Sequence, residues 1–404
     1  MSSNTSVGSS RSISLPLEVV EKILKDVDDL GDRQSLINCS LVSKLFLYLC
    51  RAHLFRDIKL FLEPDHPEQQ GRSEETMPTS VQLIAFLVSD PHVASLIRTL
   101  RITGAEPHPE TAASQWTTIV ENLSNLPLKL THIRYLVIQS AFFTDWTMLN
   151  PELRSVLNSL YSLQTLQHLE LHYMLMTTQE LLSLIRIPEV TLIGVLSISK
   201  LEDTEATKDD SRLPPRRSLL HNLKIVMKRP DMASFLSNIV KAAAETLKLL
   251  QWLSSPYHEM ERTHLESIIL RDLPALVSLT VCIPLDHSGI GDLVTLFGSA
   301  SGGTKLESIE IVCDYRRIPD QRFIDDWNWQ GVDTALADDA VYGAFHTLKV
   351  SVKKIVYPKH KQLSTGVYER MLNESLTLFR SKLQMALDKG VKIEGSEILQ
   401  MFRV

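Results

Sequence analysis

Three short stretches carry side chains that could do chemistry. Gly298 to Lys305 has the glycine content of a phosphate-cradling loop. That loop needs Lys followed by Ser or Thr, with a strand before it and a helix after it. Here the closing pair is Thr304-Lys305 and a strand-like alternation follows it, so the stretch reads as a connecting loop. His258, Glu259, Glu261 and His264 have metal-capable side chains, but the two histidines are six residues apart. A four-residue spacing would put both on one helical face; six does not, and a solvated polar loop is the expectation. Asp325 and Asp326 are adjacent, so on any regular element they diverge and cannot share a proton as a catalytic dyad. The neighbouring Trp327 and Trp329 read as anchors of a loop on the core or as part of a binding surface. Arg216-Arg217 and Arg316-Arg317 read as solvated loop pairs. No constellation calls for catalysis, and no cofactor or metal is expected.

In residues 15–55, Pro16 suits the first turn of a helix, where its missing N–H costs nothing. Glu18 favours the positive end of that helix, and Val20, Ile23, Leu24 and Val27 form one apolar stripe. Gly31-Asp32 ends this helix and caps a second through Leu36 and Cys39. A third carries Val42, Leu45, Phe46 and Leu49, with Leu54-Phe55 as an apolar end. The stretch is too apolar for a surface segment and too short to form a stable domain, which implies a partner.

Leu15-Pro16-x-Glu18, Ile23-Leu24, Cys39-Ser40-Leu41-Val42-Ser43-Lys44 and Leu54-Phe55 together resemble the F-box, in the version found in fungal F-box-like proteins. The resemblance covers about 45 of the 404 residues. Phe46 stands where a Trp is usual and Val27 where a Leu is usual; both keep the surface apolar. The resemblance implies docking to a Skp-family adaptor and through it to a cullin ubiquitin ligase. The residues expected to supply the docking surface are Leu15, Pro16, Ile23, Leu24, Leu36, Leu41, Val42, Phe46 and Leu49. Some of these must form the unit's own core.

Behind this segment an apolar-x-x-apolar-x-apolar pattern recurs. It appears as Ile97-Leu100-Ile102, Ile133-Leu136-Ile138, Leu166-Leu169-Leu171, Ile193-Leu196-Ile198 and Leu220-Leu223-Ile225. It continues as Leu247-Leu250-Trp252, Leu276-Leu279-Val281, Leu306-Ile309-Ile311 and Phe345-Leu348-Val350. The middle residues are 36, 33, 27, 27, 27, 29, 30 and 39 positions apart, around the upper end of the leucine-rich-repeat range. A mostly polar residue between the last two apolars predicts a strand with one face buried. Helix-like segments such as Glu152–Leu160, Met232–Glu245 and Glu374–Leu387 lie between. The usual Asn or Cys after each strand is missing; Ala105, Ala141, Met174 and Leu201 stand there, which predicts an irregular array.

The expected fold is α/β: a small N-terminal three-helix F-box-like module followed by an irregular leucine-rich-repeat solenoid, an open horseshoe. The expected divisions are a disordered tail at 1–12, the helical module at 13–60, a linker at 61–80 and the solenoid at 81–404, with a disordered insertion at 199–218. The net charge of −6 gives no electrostatic case for nucleic acid, and no apolar run approaches the roughly 20 residues of a membrane span. Cys39, Cys50, Cys282 and Cys313 lack paired or metal-type spacing and read as buried thiols of a cytoplasmic or nuclear protein. The function expected is a non-catalytic substrate-recognition adaptor, or, as the alternative, a leucine-rich protein-binding scaffold without ubiquitin-ligase association. An unidentified protein target would meet the exposed strand residues Tyr135, His168, Glu170, His172, Lys224, Gln251, Glu310 and Lys349.

Overall fold

In the computed structural model the described residues are 15–61, 80–103, 129–146, 151–197, 218–229, 232–254, 264–314, 327–356, 365–396 and 399–403. The expected tail at 1–12, nearly all of the linker and of the 199–218 insertion, both arginine pairs, His258, Glu259, Glu261, Asp325 and Asp326 lie outside them.

The N-terminal helices are α1 (Leu17–Asp29), α2 (Arg33–Ser40) and α3 (Lys44–Leu54). Their boundaries follow from local chemistry. Pro16 is the N-cap of α1. Gly31, at φ +73°, makes the left-handed turn that lets Asp32 cap α2, where its carboxylate accepts from the Ser35 N–H at 3.0 Å. Ser43 caps α3 by accepting from the Phe46 N–H at 3.3 Å. Val20, Leu24, Leu36 and Cys50 form a small buried cluster of their own, with Val27, Cys39, Phe46, Leu49 and Leu54 packed around it.

Among the described residues that follow, thirteen strands join into one sheet, with helices between them. Eleven follow one another as neighbours: β1 (Asp57–Phe61), β2 (Thr99–Thr103), β3 (Tyr135–Asp145), β4 (His168–Met176), β5 (Glu189–Ile193), β7 (Asn222–Met227), β8 (Leu249–Ser254), β9 (Ser278–Pro284), β10 (Ser308–Asp314), β11 (Thr347–Val356) and β12 (Lys392–Gly395). The short β6 (Leu196–Ser197) pairs with β4, and β13 (Leu399–Arg403) pairs with β11. Every pair is parallel. Parallel neighbours need a crossover, and crossovers of the usual right hand between successive strands all return over the same face.

That face carries the main core. Ile58, Leu100, Leu136, Leu169, Val190, Leu223, Leu250, Leu279, Ile309, Leu348 and Ile393 lie side by side in register. All are buried in one cluster with helix residues such as Leu157, Leu236, Leu293, Val332 and Phe379. One helix is capped from a distance. Gln384–Asp388 has Leu383 at its N-cap, which cannot accept, and Asp333 of the helix Trp329–Leu336 takes its place. The Asp333 carboxylate accepts from the N–H groups of Met385 at 3.0 Å and Ala386 at 2.9 Å.

The architecture corrects the expected fold class. A helical module followed by a leucine-rich-repeat solenoid is overturned by one large all-parallel sheet with helices, which begins at Asp57, directly after α3. The recurring spacing reported strands buried on one face, and a continuous parallel sheet generates that spacing in full. One motif was also misplaced. In the register of β4 and β5, Val190 and Leu192 occupy the positions expected for Leu196 and Ile198, so the matching triad is Ile187-Val190-Leu192. Leu196 belongs to β6 and pairs with Leu175 at the C-terminal end of β4. β1 and the terminal strand β12 extend the sheet at its two ends.

The face opposite the helices is not uniformly polar. Ile193, Val226, Leu253, Cys282 and Val312 form a second buried apolar cluster there. Beyond it Lys353 and Asp314 form a buried ion pair at 3.0 Å. Burial of the Cys313 thiol, which faces the helices, pushes its pKa up to about 12, as befits an unreactive core thiol.

Candidate functional site

Two surfaces collect the side chains singled out in the sequence. The first is on α1–α3. Leu24 and Leu36 are buried in the unit's own core at 0 % and 1 % exposure, so they are not available to a partner. They are the members of the expected docking set that form the unit's own core. Phe46 and Leu49 are half-buried against that core. Leu15, Pro16, Ile23, Leu41 and Val42 are exposed, and Leu41 and Val42, in the turn between α2 and α3, are 79 % and 70 % exposed. Leu17, Val19, Leu30, Ile37, Leu45 and Tyr48 are exposed as well. Of the fifteen exposed large apolar side chains among the described residues, ten lie between Leu15 and Tyr48. Helical spacing alone could not separate these from the core, because a helix this short shows apolar residues on more than one face.

The second surface is the sheet face opposite the helices, near β3 to β7. Tyr135 stacks on His168 with ring centroids 4.0 Å apart and planes 10° from parallel. His168 Nδ1 is 3.2 Å from Glu189 Oε2, and the Asn222 side-chain amide donates to Glu189 Oε1 at 2.9 Å. These four residues occupy successive positions of one register row. The next row holds Glu170, Thr191, Lys224 and Gln251. Glu170 Oε1 lies 2.5 Å from His172 Nε2. The hydrogen bond from His172 holds the Glu170 carboxyl below the usual carboxylate range; burial opposes it, and His168 and Lys224 assist. Burial raises the Tyr135 phenol, with Glu170 and Glu189 adding to the effect and Arg101 opposing it.

At the end of this patch the Lys228 ammonium sits over the Tyr173 ring, 3.8 Å from its centroid, and hydrogen-bonds the Tyr173 hydroxyl. Gly194 permits that arrangement, since a Cβ there would come within 3.2 Å of the Tyr173 ring.

Five of the eight expected target residues therefore meet in one place: Tyr135, His168, Glu170, His172 and Lys224. Gln251, Glu310 and Lys349 continue the outward row along β8, β10 and β11 rather than joining the cluster. Glu189, Thr191, Asn222, Tyr173 and Lys228 were missed. The signal for Glu189 was its register opposite His168, which the misplaced fourth motif hid.

Thr191 Oγ1, His168 and Glu189 follow the order hydroxyl, imidazole, carboxylate, with Thr191 Oγ1 3.5 Å from His168 Nε2. The hydroxyl is at the limit of hydrogen bonding and Thr191 is 7 % exposed. Acyl transfer also needs convergent donors for an oxyanion, and mid-strand N–H groups are committed to the ladder with β4 and β7. The patch suits recognition by hydrogen bonding and stacking. No group of three or more potential metal ligands occurs among the described residues, and none of their helices is long and apolar enough to cross a membrane. No protein-family model matches the chain, and no curated protein matches it.

Proposed function

We propose that the chain is a non-catalytic substrate-recognition adaptor of a Skp–cullin–F-box ubiquitin ligase. The exposed apolar face of α1–α3 docks a Skp-family adaptor, and the open sheet face around Tyr135 and His168 engages a protein target. The observation that carries this reading is the concentration of ten exposed large apolar side chains between Leu15 and Tyr48 on a unit that already has its own core. Exposed apolar side chains so concentrated mark an interaction site, and covering one leucine contributes about 1.5–3 kcal/mol. The motif order from Leu15-Pro16 to Leu54-Phe55 supports a Skp-type partner as its cover.

Co-expression with a Skp-family protein tests the proposal. A stoichiometric complex that survives gel filtration is expected. A chain that is monodisperse alone and elutes apart from the Skp protein refutes it.

A further inference from the structure

On the helix-covered side, away from both surfaces above, a cleft of about 640 Å³ opens beside the helix Pro151–Tyr161. The cleft is wide open to solvent. Trp146, only 1 % exposed, forms part of its wall and stacks on Tyr161 at 5.6 Å between centroids. Among the described residues that line the cleft, Arg154 and Glu180 carry charge.

Arg154 makes no hydrogen bond or ion pair among the described residues, although its Nε is fully buried. That Nε has no surface a ligand in the cleft could touch, so the terminal N–H groups of the guanidinium fork are the donors left to a ligand. Asn158, one helical turn on, and Ser155 also line the cleft with side chains that no hydrogen bond engages among the described residues. Ser159 and Ser162 instead turn their hydroxyls back to helix carbonyls. Glu180 spends one oxygen on the Thr177 N–H at 2.9 Å, which leaves the other without a partner. The cleft thus holds one cation and one carboxylate that do not pair with each other.

We propose that this cleft binds a free α-amino acid. Arg154 and Asn158 take the carboxylate, Glu180 takes the ammonium, and the side chain lies toward Trp146. A planar fork matches a carboxylate. Glu180 would repel a simple dianion such as phosphate and favours a ligand that brings its own positive donor. This inference is independent of the adaptor reading, since none of its residues lies on either docking surface.

Isothermal titration of the full chain with L-phenylalanine, N-acetyl-L-phenylalanine, 3-phenylpropionate and inorganic phosphate tests it. Phenylalanine is expected to bind at least about tenfold more tightly than the other three. Arg154→Met abolishes binding. Asn158→Asp, an exposed position, also abolishes it, because a carboxylate one turn from Arg154 captures the guanidinium. Glu180→Gln keeps the Thr177 contact but brings phenylalanine down to the level of 3-phenylpropionate. Absence of heat with phenylalanine, equal binding of 3-phenylpropionate, or wild-type affinity in Arg154→Met overturns the proposal.

Discussion

Two leucines 17 positions apart in the first helical unit should respond in opposite ways to substitution. Leu24 is 0 % exposed, one of four residues in the unit's own buried cluster. Leu24→Ala removes three side-chain carbons from that cluster and leaves a cavity, a change that costs about 2–5 kcal/mol. The lower half of that range applies, because a four-residue cluster bordered by half-buried side chains collapses more readily than a deep core. The loss should be local, since the cluster is separate from the main core of the sheet. Leu41 is 79 % exposed and ends α2 three residues before α3 begins. Leu41→Asp should change folding stability by no more than about 0.5 kcal/mol. In a complex it forfeits about 2 kcal/mol of apolar burial, which is roughly a thirtyfold loss of affinity before the cost of desolvating the new carboxylate. Hydrogen exchange read by mass spectrometry separates the two. Leu24→Ala should speed exchange throughout α1–α3 and leave β7–β10 protected, whereas Leu41→Asp should leave exchange unchanged and weaken capture of the Skp-family protein. If both substitutions speed exchange alike, or if Leu41→Asp captures the partner as well as the parent chain, the division into core and docking face is wrong. A charged residue at Leu24 would be a poor test of docking, since it would unfold the unit.

Two further outcomes follow from single carboxylates. Asp333→Ala orphans the N–H groups of Met385 and Ala386 and should lower stability by about 3 kcal/mol, with Asp333→Asn losing about half as much, both read from urea titrations. Glu170 is held below its ordinary pKa in the folded chain, first by the His172 hydrogen bond. Its stabilisation is therefore complete above the unfolded carboxylate pKa of about 4.3 and is lost as pH falls through the lower folded value. The stability advantage of the parent over Glu170→Gln should shrink as pH falls below about 4. An advantage that grows below about pH 4 would contradict the assigned direction.

Much of the sheet was legible because one-sided burial imposes a period on the chain. Leu100, Leu136, Leu169, Leu223, Leu250, Leu279, Ile309 and Leu348 sit at the centres of the recurring motifs and at one level of the register. The error at Leu196 arose because two apolar triads follow one another directly between Ile187 and Ile198, and local spacing cannot choose between strands that pair at different levels. The cluster of Ile193, Val226, Leu253, Cys282 and Val312 was not legible either: the polar positions before it suggested a solvated face throughout.

By itself the sequence determined what is decided within a turn or a strand. That includes the break and cap at Gly31-Asp32 and the alternation along each strand, since all depend on neighbours in the chain. Only the tertiary structure decided that the strands join into one parallel sheet and that Leu24 lies inside while Leu41 faces out. It alone brought Asp333 to a helix 52 residues away and set His168 against Glu189. The physical reason is that periodicity records that a side chain is buried, whereas the partner that buries or bonds it is set by packing between distant segments.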